Sequence, residues 1–361
     1  MDKRRTISLS IFLFVSGGLV ALLSFFLDTA GQARASVEFL RAFGFATMGY
    51  APIMLAIFAY DLVKAWGSGK LIATVSKYRI RELENPTSLD LPALISSNVE
   101  GCITPAGRSD VDLKLFWKLR AYHERVIDKN TPDLYPPIVL CTGRSQGYVE
   151  LLAQELGMIN ENRDIPMIIE NGCALYYPAS RRTVPLILNP DINTMDRVRE
   201  VLDASAEFDD NEFEPKKWMV TVNPSRDASG NIEAIGDIKS KAIRVLTAAG
   251  EDTSKLRFDS CTSALDITPA DVTKVKALLK ILGDHFPDSK KTLKDVVAIV
   301  DSTSDLPLLG KIKTAYCSTE KVHPEVRSRV ERLYGADHAV AKPDILAVLE
   351  VLRCVCRVSI T

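Results

Sequence analysis

The stretch Ala93-Leu94-Ile95-Ser96-Ser97-Asn98-Val99-Glu100-Gly101-Cys102-Ile103-Thr104 sets how the rest of the chain is read. It opens on a short, mostly apolar run without alternation and passes directly into polar residues and a glycine. Unbroken runs of this kind suit strands of a parallel sheet buried on both faces. The pattern returns at 138–141, 167–169 and 296–300, with helical periodicity at 111–127 and 148–156 in between. Such alternation predicts an α/β architecture whose parallel strands are joined by right-handed crossovers. Sites in these sheets stand beyond the carboxyl ends of the strands, so the residues that follow each run matter most. Asn98 and Glu100 follow the first run, and Thr142, Gly143 and Arg144 the second. Lys274 opens a helix after the run 265–268, and Asp301 to Asp305 follow the last run. Alone, each cluster reads equally well as a helix cap or a loop. Their order, and their place after buried strands, carries the inference that four polar clusters meet at one sheet edge.

Residues 176–262 read differently. An acidic stretch (Glu207, Asp209, Asp210, Glu212, Glu214) precedes a strand-like segment at 217–222, and turn signals follow at Asn223-Pro224-Ser225 and Ala228-Ser229-Gly230-Asn231. A helical pattern at 238–249 completes what reads as a smaller α+β insertion. The acidic stretch is expected to be a solvated loop rather than a metal site.

The 361 residues carry 45 Lys and Arg against 46 Asp and Glu, a net charge of −1. That balance argues against a nucleic-acid binder working through bulk positive charge. Seven cysteines are dispersed without a CxxC pair, and the four histidines have no zinc-like spacing with them. Dispersed cysteines are expected to be reduced thiols; Cys354 and Cys356 fit buried thiols better than a metal pair.

Residues 7–27 and 42–60 hold no charged side chain, and each run is long enough to cross a bilayer as a helix. Lys3, Arg4 and Arg5 precede the first run, and Lys64, Lys70, Lys77, Arg79 and Arg81 follow the second. By the positive-inside rule both ends face the cytoplasm, joined by a short outer loop. A cleaved signal peptide, or a helical hairpin buried in a soluble core, is the competing reading. The first is disfavoured because its apolar region is too long and a second run follows. A transport role is disfavoured too, because the runs offer no charge to line an ion or substrate path.

Over residues 90–350 the chain resembles the haloacid dehalogenase-like (HAD-like) phosphatases. Within them it is most similar to the large-cap group of Cof-type sugar-phosphate phosphatases, sucrose-phosphatases and mannosyl-3-phosphoglycerate phosphatases. The first family motif, DxDGT, falls on Asn98, Val99, Glu100, Gly101 and Cys102, and the second-motif Thr falls on Thr142 in the form Thr-Gly-Arg. The motif lysine falls on Lys274, and the acidic GDxxND motif falls on Val300, Asp301, Ser302, Thr303, Ser304 and Asp305. Glu170-Asn171-Gly172 matches a further segment of these proteins. The resemblance implies a Rossmann-like parallel-sheet core at 84–175 and 263–361, an α+β cap at 176–262, and an N-terminal transmembrane hairpin with linker at 1–83.

The resemblance also implies an aspartyl-phosphate mechanism on a small phosphorylated metabolite, a sugar phosphate or a phosphoglycerate derivative. Asn98 occupies the nucleophile position and Glu100 the acid/base position. Thr142 and Lys274 would bind phosphoryl oxygens, and Gly143, Arg144 and Asn171 the rest of the substrate. Asn98, Glu100, Asp301 and Asp305 would surround a Mg²⁺ ion. Asn98 departs from the pattern, because a neutral amide is a poor nucleophile and brings no charge to a cation. Two readings follow. One is a phosphatase-type protein whose ordinary turnover is lost with Asn98; the other is a pseudoenzyme that senses or scaffolds a phospho-ligand at the membrane. Arg181, Arg182, Lys216 and Lys217 are candidates for meeting a second anionic group, although solvated surface charge is the more ordinary role for such residues.

Overall fold

Four short strand-forming runs placed along the chain become neighbours only once the chain folds. The computed structural model describes residues 78–360 apart from 84–89, 106–111, 128–134, 228, 262, 288–289 and 321. The chain divides into two units, Met1–Lys77 and Tyr78–Thr361. The spans expected at 7–27 and 42–60 lie outside the described residues. Among the described residues, no helix is long and apolar enough to cross a membrane.

In chain order, β1 (Ile80–Glu82) and β2 (Leu94–Ser97) lead to α1 (Leu113–Val126), β3 (Ile138–Leu140), α2 (Gln146–Glu155) and β4 (Met167–Ile169). Then come β5 (Ala174–Tyr177), β6 (Arg182–Pro185), α3 (Asn189–Asp203), β7 (Glu212–Phe213), β8 (Val220–Asn223) and α4 (Ile235–Ala248). After β9 (Leu256–Ser260) and β10 (Leu265–Pro269) the chain enters α5 (Lys274–His285) and β11 (Val296–Ile299). It closes with β12 (Thr314–Ser318), α6 (Pro324–Tyr334), β13 (Ala339–Val340), α7 (Asp344–Cys356) and β14 (Val358–Ile360).

Five strands form a parallel sheet in the order β13-β12-β11-β2-β3. β2 and β11, buried along their whole length, lie side by side in its middle. That is why their sequences run apolar without alternation. β4 joins this sheet only through a parallel bridge between Cys141 and Ile168, and otherwise starts an antiparallel meander with β5 and β6. β1 and β14 pair with each other, Ile80 opposite Ile360.

A second sheet, antiparallel in the order β7-β8-β10-β9, has its own apolar core against α3 and α4. Val198 and Leu202 of α3, and Ile238, Ala242 and Leu246 of α4, recur every four residues and so share one helix face. They meet Val220, Val222, Leu265 and Ile267 of the strands. Since strand side chains alternate between faces, this packing sends Thr221 and Asp266 to the opposite face.

The two sheets are tied where Glu170, Asn171 and Gly172 turn with three consecutive positive φ angles of 47°, 55° and 100°. Such backbone in non-glycine residues costs about 1–3 kcal/mol each and persists only when its surroundings fix it. Here Asn171 N–H donates to Thr142 O at 2.9 Å, while the buried Glu170 carboxylate accepts from Lys217 N–H at 3.1 Å and Trp218 N–H at 2.7 Å. A Cβ on Gly172 would lie 2.8 Å from the Thr273 carbonyl and 3.0 Å from Lys274 N, so only glycine lets the turn press against the start of α5. Gly172→Ala is therefore expected to destabilise the fold by about 2 kcal/mol or more through strain and clash. Urea denaturation of the two proteins measures this, and a difference within experimental error would show that the turn is free to move away from α5.

Candidate functional site

At the carboxyl end of β2, Asn98 N–H extends the sheet by donating to Ile299 O at 2.9 Å, and the chain then turns tightly around Val99 O. Asn98 is thereby fixed beside the carboxyl end of β11. Its Oδ1 accepts from Val99 N–H at 2.8 Å. Its Nδ2 donates to Asp301 Oδ1 and lies 3.4 Å from both Asp305 Oδ2 and Ser302 Oγ.

Asp305 reaches back from the turn after β11, and its Oδ2 accepts from Asp301 N–H at 3.1 Å and Ser302 N–H at 3.3 Å. Its other oxygen receives the Lys274 ammonium at 2.7 Å, a pair whose side chains are 1% and 3% exposed. Lys274 stands there because Thr273 caps α5, accepting from Lys276 N–H at 3.3 Å. Burial opposes the charge on Lys274, but the carboxylate of Asp305 overrides it and raises the lysine's pKa. Asp301 is shifted upward, by burial first and by the charge of Asp305 second.

Thr142 and Gly143 follow β3 on the other side of β2. Thr142 Oγ1 accepts from Arg144 N–H at 3.1 Å. A Cβ on Gly143 would meet Asp266 Oδ2 at 3.0 Å and the Asn171 amide at 3.2 Å, so this glycine permits close approach of the second sheet. Arg144 pairs with Glu100 through NH2 and with Glu214 through NH1 at 3.4 Å. Lys216, 4% exposed in its side chain, pairs with Glu214 at 2.8 Å and donates to Gly143 O at 2.9 Å.

These groups surround a cavity of about 40 Å³, lined by Asn98, Glu100, Thr142, Gly143, Arg144, Asn171 and Asp301 from the sequence-expected set. That is well below the roughly 300–1,000 Å³ usual for small-molecule sites; the Arg144 and Lys216 contacts cross the space. Lys274 and Asp305 do not line it, but they hold Asn98 and Asp301 from behind. Lys216 lines the cavity and is buried, contrary to the surface reading of its charge. Lys217 lies over the Trp218 ring, Arg182 over the Tyr177 ring, and Arg181 is 72% exposed, all outside the lining.

Sequence reading missed Glu214, Thr221, Cys261, Ser263, Asp266 and Ser302, which also line the cavity. The one signal for Asp266 is that it interrupts an apolar run. In the structure it accepts from Asn171 Nδ2 at 2.8 Å and Thr221 Oγ1 at 2.7 Å. Burial pushes its carboxyl up to about 6.

The ion expected at Asn98, Glu100, Asp301 and Asp305 does not fit the donors as they stand. Asn98 presents N–H groups to the carboxylates, Glu100 is held by Arg144, and Asp305 is held by Lys274. Among the described residues, no group of three or more His, Cys, Asp and Glu is placed to hold a metal. All seven cysteines are unpaired.

No family model and no curated protein matches the sequence. Solved structures do match in fold. Protein 0175 of Thermoplasma acidophilum aligns over 73% of this chain and 98% of its own, at 12% identity and a TM-score of 0.50. The sucrose-phosphatase of Synechocystis sp., solved with sucrose and phosphate, aligns over 74% and 98% at 14% identity and 0.48. A putative HAD/COF-like hydrolase of Plasmodium vivax aligns over 73% and 97% at 12% and 0.48. The α/β fold with its parallel sheet is shared with protein 0175 of Thermoplasma acidophilum. Identities this low show a shared fold and nothing finer.

Two expectations follow from the buried charges. Lys274→Met strands the buried Asp305 carboxylate and should cost about 3–5 kcal/mol; adding Asp305→Asn should recover part of that loss in a denaturation cycle, and no recovery would mean the pair is not what is lost. For Asp266, whose folded pKa is raised, the native state holds the proton more tightly than the unfolded one. Stability from this group is therefore full below about pH 4 and is lost as pH rises to about 6, by on the order of 2–3 kcal/mol. Asp266→Asn should flatten the difference in unfolding free energy between pH 4.5 and 7.5 relative to the parent chain, and an unchanged pH profile would contradict this.

Proposed function

We propose that this chain is a HAD-like, phosphatase-type protein that binds a small phosphorylated metabolite in the cavity between its two sheets, with Asn98 where a nucleophile would stand. The observation that carries the reading is the convergence of Asn98, Thr142, Arg144 and Asp301 on one cavity from three strand ends, which is where open α/β sheets bind ligands. Thr142 hydroxyl and the Arg144 guanidinium supply donors for phosphoryl oxygens, and Arg144 is suited to bidentate contact. Lys274 acts from behind, by fixing Asp305 and through it the acidic loop. Glu100 is the carboxylate positioned to move a proton, once Arg144 is drawn to the ligand. Asn98 leaves out the covalent step, since an amide does not form the acyl-phosphate.

In the same proposal the parallel sheet and its helices act as the core, and the second sheet with α3 and α4 as the cap that contributes specificity; that sheet includes β10 (Leu265–Pro269), beyond the 176–262 expected from sequence. Residues 1–83 tether the domain to a membrane through spans at 7–27 and 42–60, with both termini cytoplasmic, as the flanking charges support. The ligand is a sugar phosphate or a phosphoglycerate derivative, and no nucleic acid is involved.

Asn98→Asp is the decisive variant. Phosphate release from a panel of sugar phosphates and phosphoglycerate, with Mg²⁺ present, should rise about 1,000-fold or more over the parent chain. Release by neither protein across the panel, with both folded, would remove the phosphatase-type reading. Release by the parent chain at the rate of the variant would show that Asn98 does not stand at the nucleophile position.

A further inference from the structure

The acidic pair at the sheet edge already has donors on it. Asn98 turns its Oδ1 away, to Val99 N–H at 2.8 Å, and aims Nδ2 at Asp301 Oδ1, with Asp305 Oδ2 and Ser302 Oγ both at 3.4 Å. Lys274 donates to Asp305 Oδ1 at 2.7 Å, and two backbone N–H groups reach Asp305 Oδ2 at 3.1 and 3.3 Å. A hard divalent cation asks for oxygen donors with free lone pairs facing one point. Here that point is faced by N–H groups, and the amide's own oxygen is turned to the backbone.

Charge leads the same way. An Asp at position 98 would bring one negative charge that Asn98 does not carry, so one negative charge that a cation would offset is absent. The same loss lowers the repulsion that an incoming phosphoryl group meets. We infer that the Asn98 amide and the Lys274 ammonium stand in for a divalent cation, so that this site takes a phosphoryl ligand without Mg²⁺ or Mn²⁺. The phosphate half of the inference rests on the function proposed above; the cation half does not.

Metal and ligand are measured separately on the full chain. Mn²⁺ is titrated without phosphate and followed by its electron paramagnetic resonance signal. Inorganic phosphate is then titrated calorimetrically, once with EDTA and once with Mg²⁺. The chain as it stands should leave Mn²⁺ free, and Asn98→Asp should bind it at least about 10-fold more tightly, as expected when a ligand is restored. The phosphate affinity of the parent chain should be the same in EDTA and Mg²⁺ within about two-fold, a difference too small for a directly bound cation.

Mn²⁺ bound by the parent chain and lost in Asp301→Asn overturns the inference whether or not Asn98→Asp folds. A phosphate affinity that falls about 10-fold in EDTA overturns it as well. Phosphate bound in neither condition, with Mn²⁺ also unbound, overturns the proposed function and upholds the cation half.

Discussion

A lysine with 1% of its side chain exposed, held 2.7 Å from an aspartate equally buried, is an arrangement that nothing in a hydrophobic core requires. Taking both charges out of water costs several kcal/mol each, and the pair offsets this only with good geometry and further hydrogen bonds. The structure supplies those bonds. Asp305 accepts the backbone N–H groups of Asp301 and Ser302, which folds the loop after β11 back on itself. Thr273 caps the helix that Lys274 begins, and the Glu170–Gly172 turn packs on that same helix start. Three segments far apart in sequence (the loop after β11, the start of α5 and the Glu170–Gly172 turn) therefore meet at one buried charge pair.

Within this frame Asn98 has a distinct consequence. An aspartate there would set three carboxylates around one point, which is tolerable only with a cation among them. The amide changes the sign of what faces Asp301 from acceptor to donor. The loop is then self-satisfied, and its acidic groups are no longer free to gather an ion. In the proposed reading, the missing nucleophile and the missing place for a cation both trace to the Asn98 amide.

The strands that sequence made legible are those buried on both faces. β2, β3 and β11 lie within or beside the runs at 93–96, 138–141 and 296–300, because a parallel strand in mid-sheet has no polar face to confuse the pattern. β4 was legible as a strand, but not as the start of an antiparallel meander. Its apolar run says only that both faces are covered, not which strand lies beside it. Strand β5 was not picked out although it is buried along its whole length, and β6 was not legible because Arg182–Pro185 is half exposed and short. Among the site residues, those directly after strand ends could be found because topology alone places them. Asp266 and Thr221 sit in mid-strand, and their direction depends on which face of the second sheet packs on α3 and α4. Lys216 was misjudged for the same reason: a charge in a connecting segment looks solvated until the segment's neighbours are known.

The connections between the sheets bear on how a ligand enters. Arg144 joins Glu100 on one side to Glu214 on the other, and Lys216 reaches Gly143 O. Thr303 Oγ1 both accepts from Ser260 N–H at 2.9 Å and donates to Ser260 O at 3.0 Å. Glu170 takes the backbone at 217 and 218. The Thr303 and Glu170 links join neutral backbone to fixed groups at the cavity margins, so an anionic ligand leaves them undisturbed. The Arg144 link is ionic and lies in the cavity lining, where a phosphoryl group competes with Glu100 and Glu214 for the same guanidinium. An anionic ligand would therefore act on the Arg144 contact and on the Lys216 contact beside it in the lining, while the Thr303 and Glu170 links hold. In the proposed function, that competition loosens Glu100 and Glu214 together from the guanidinium.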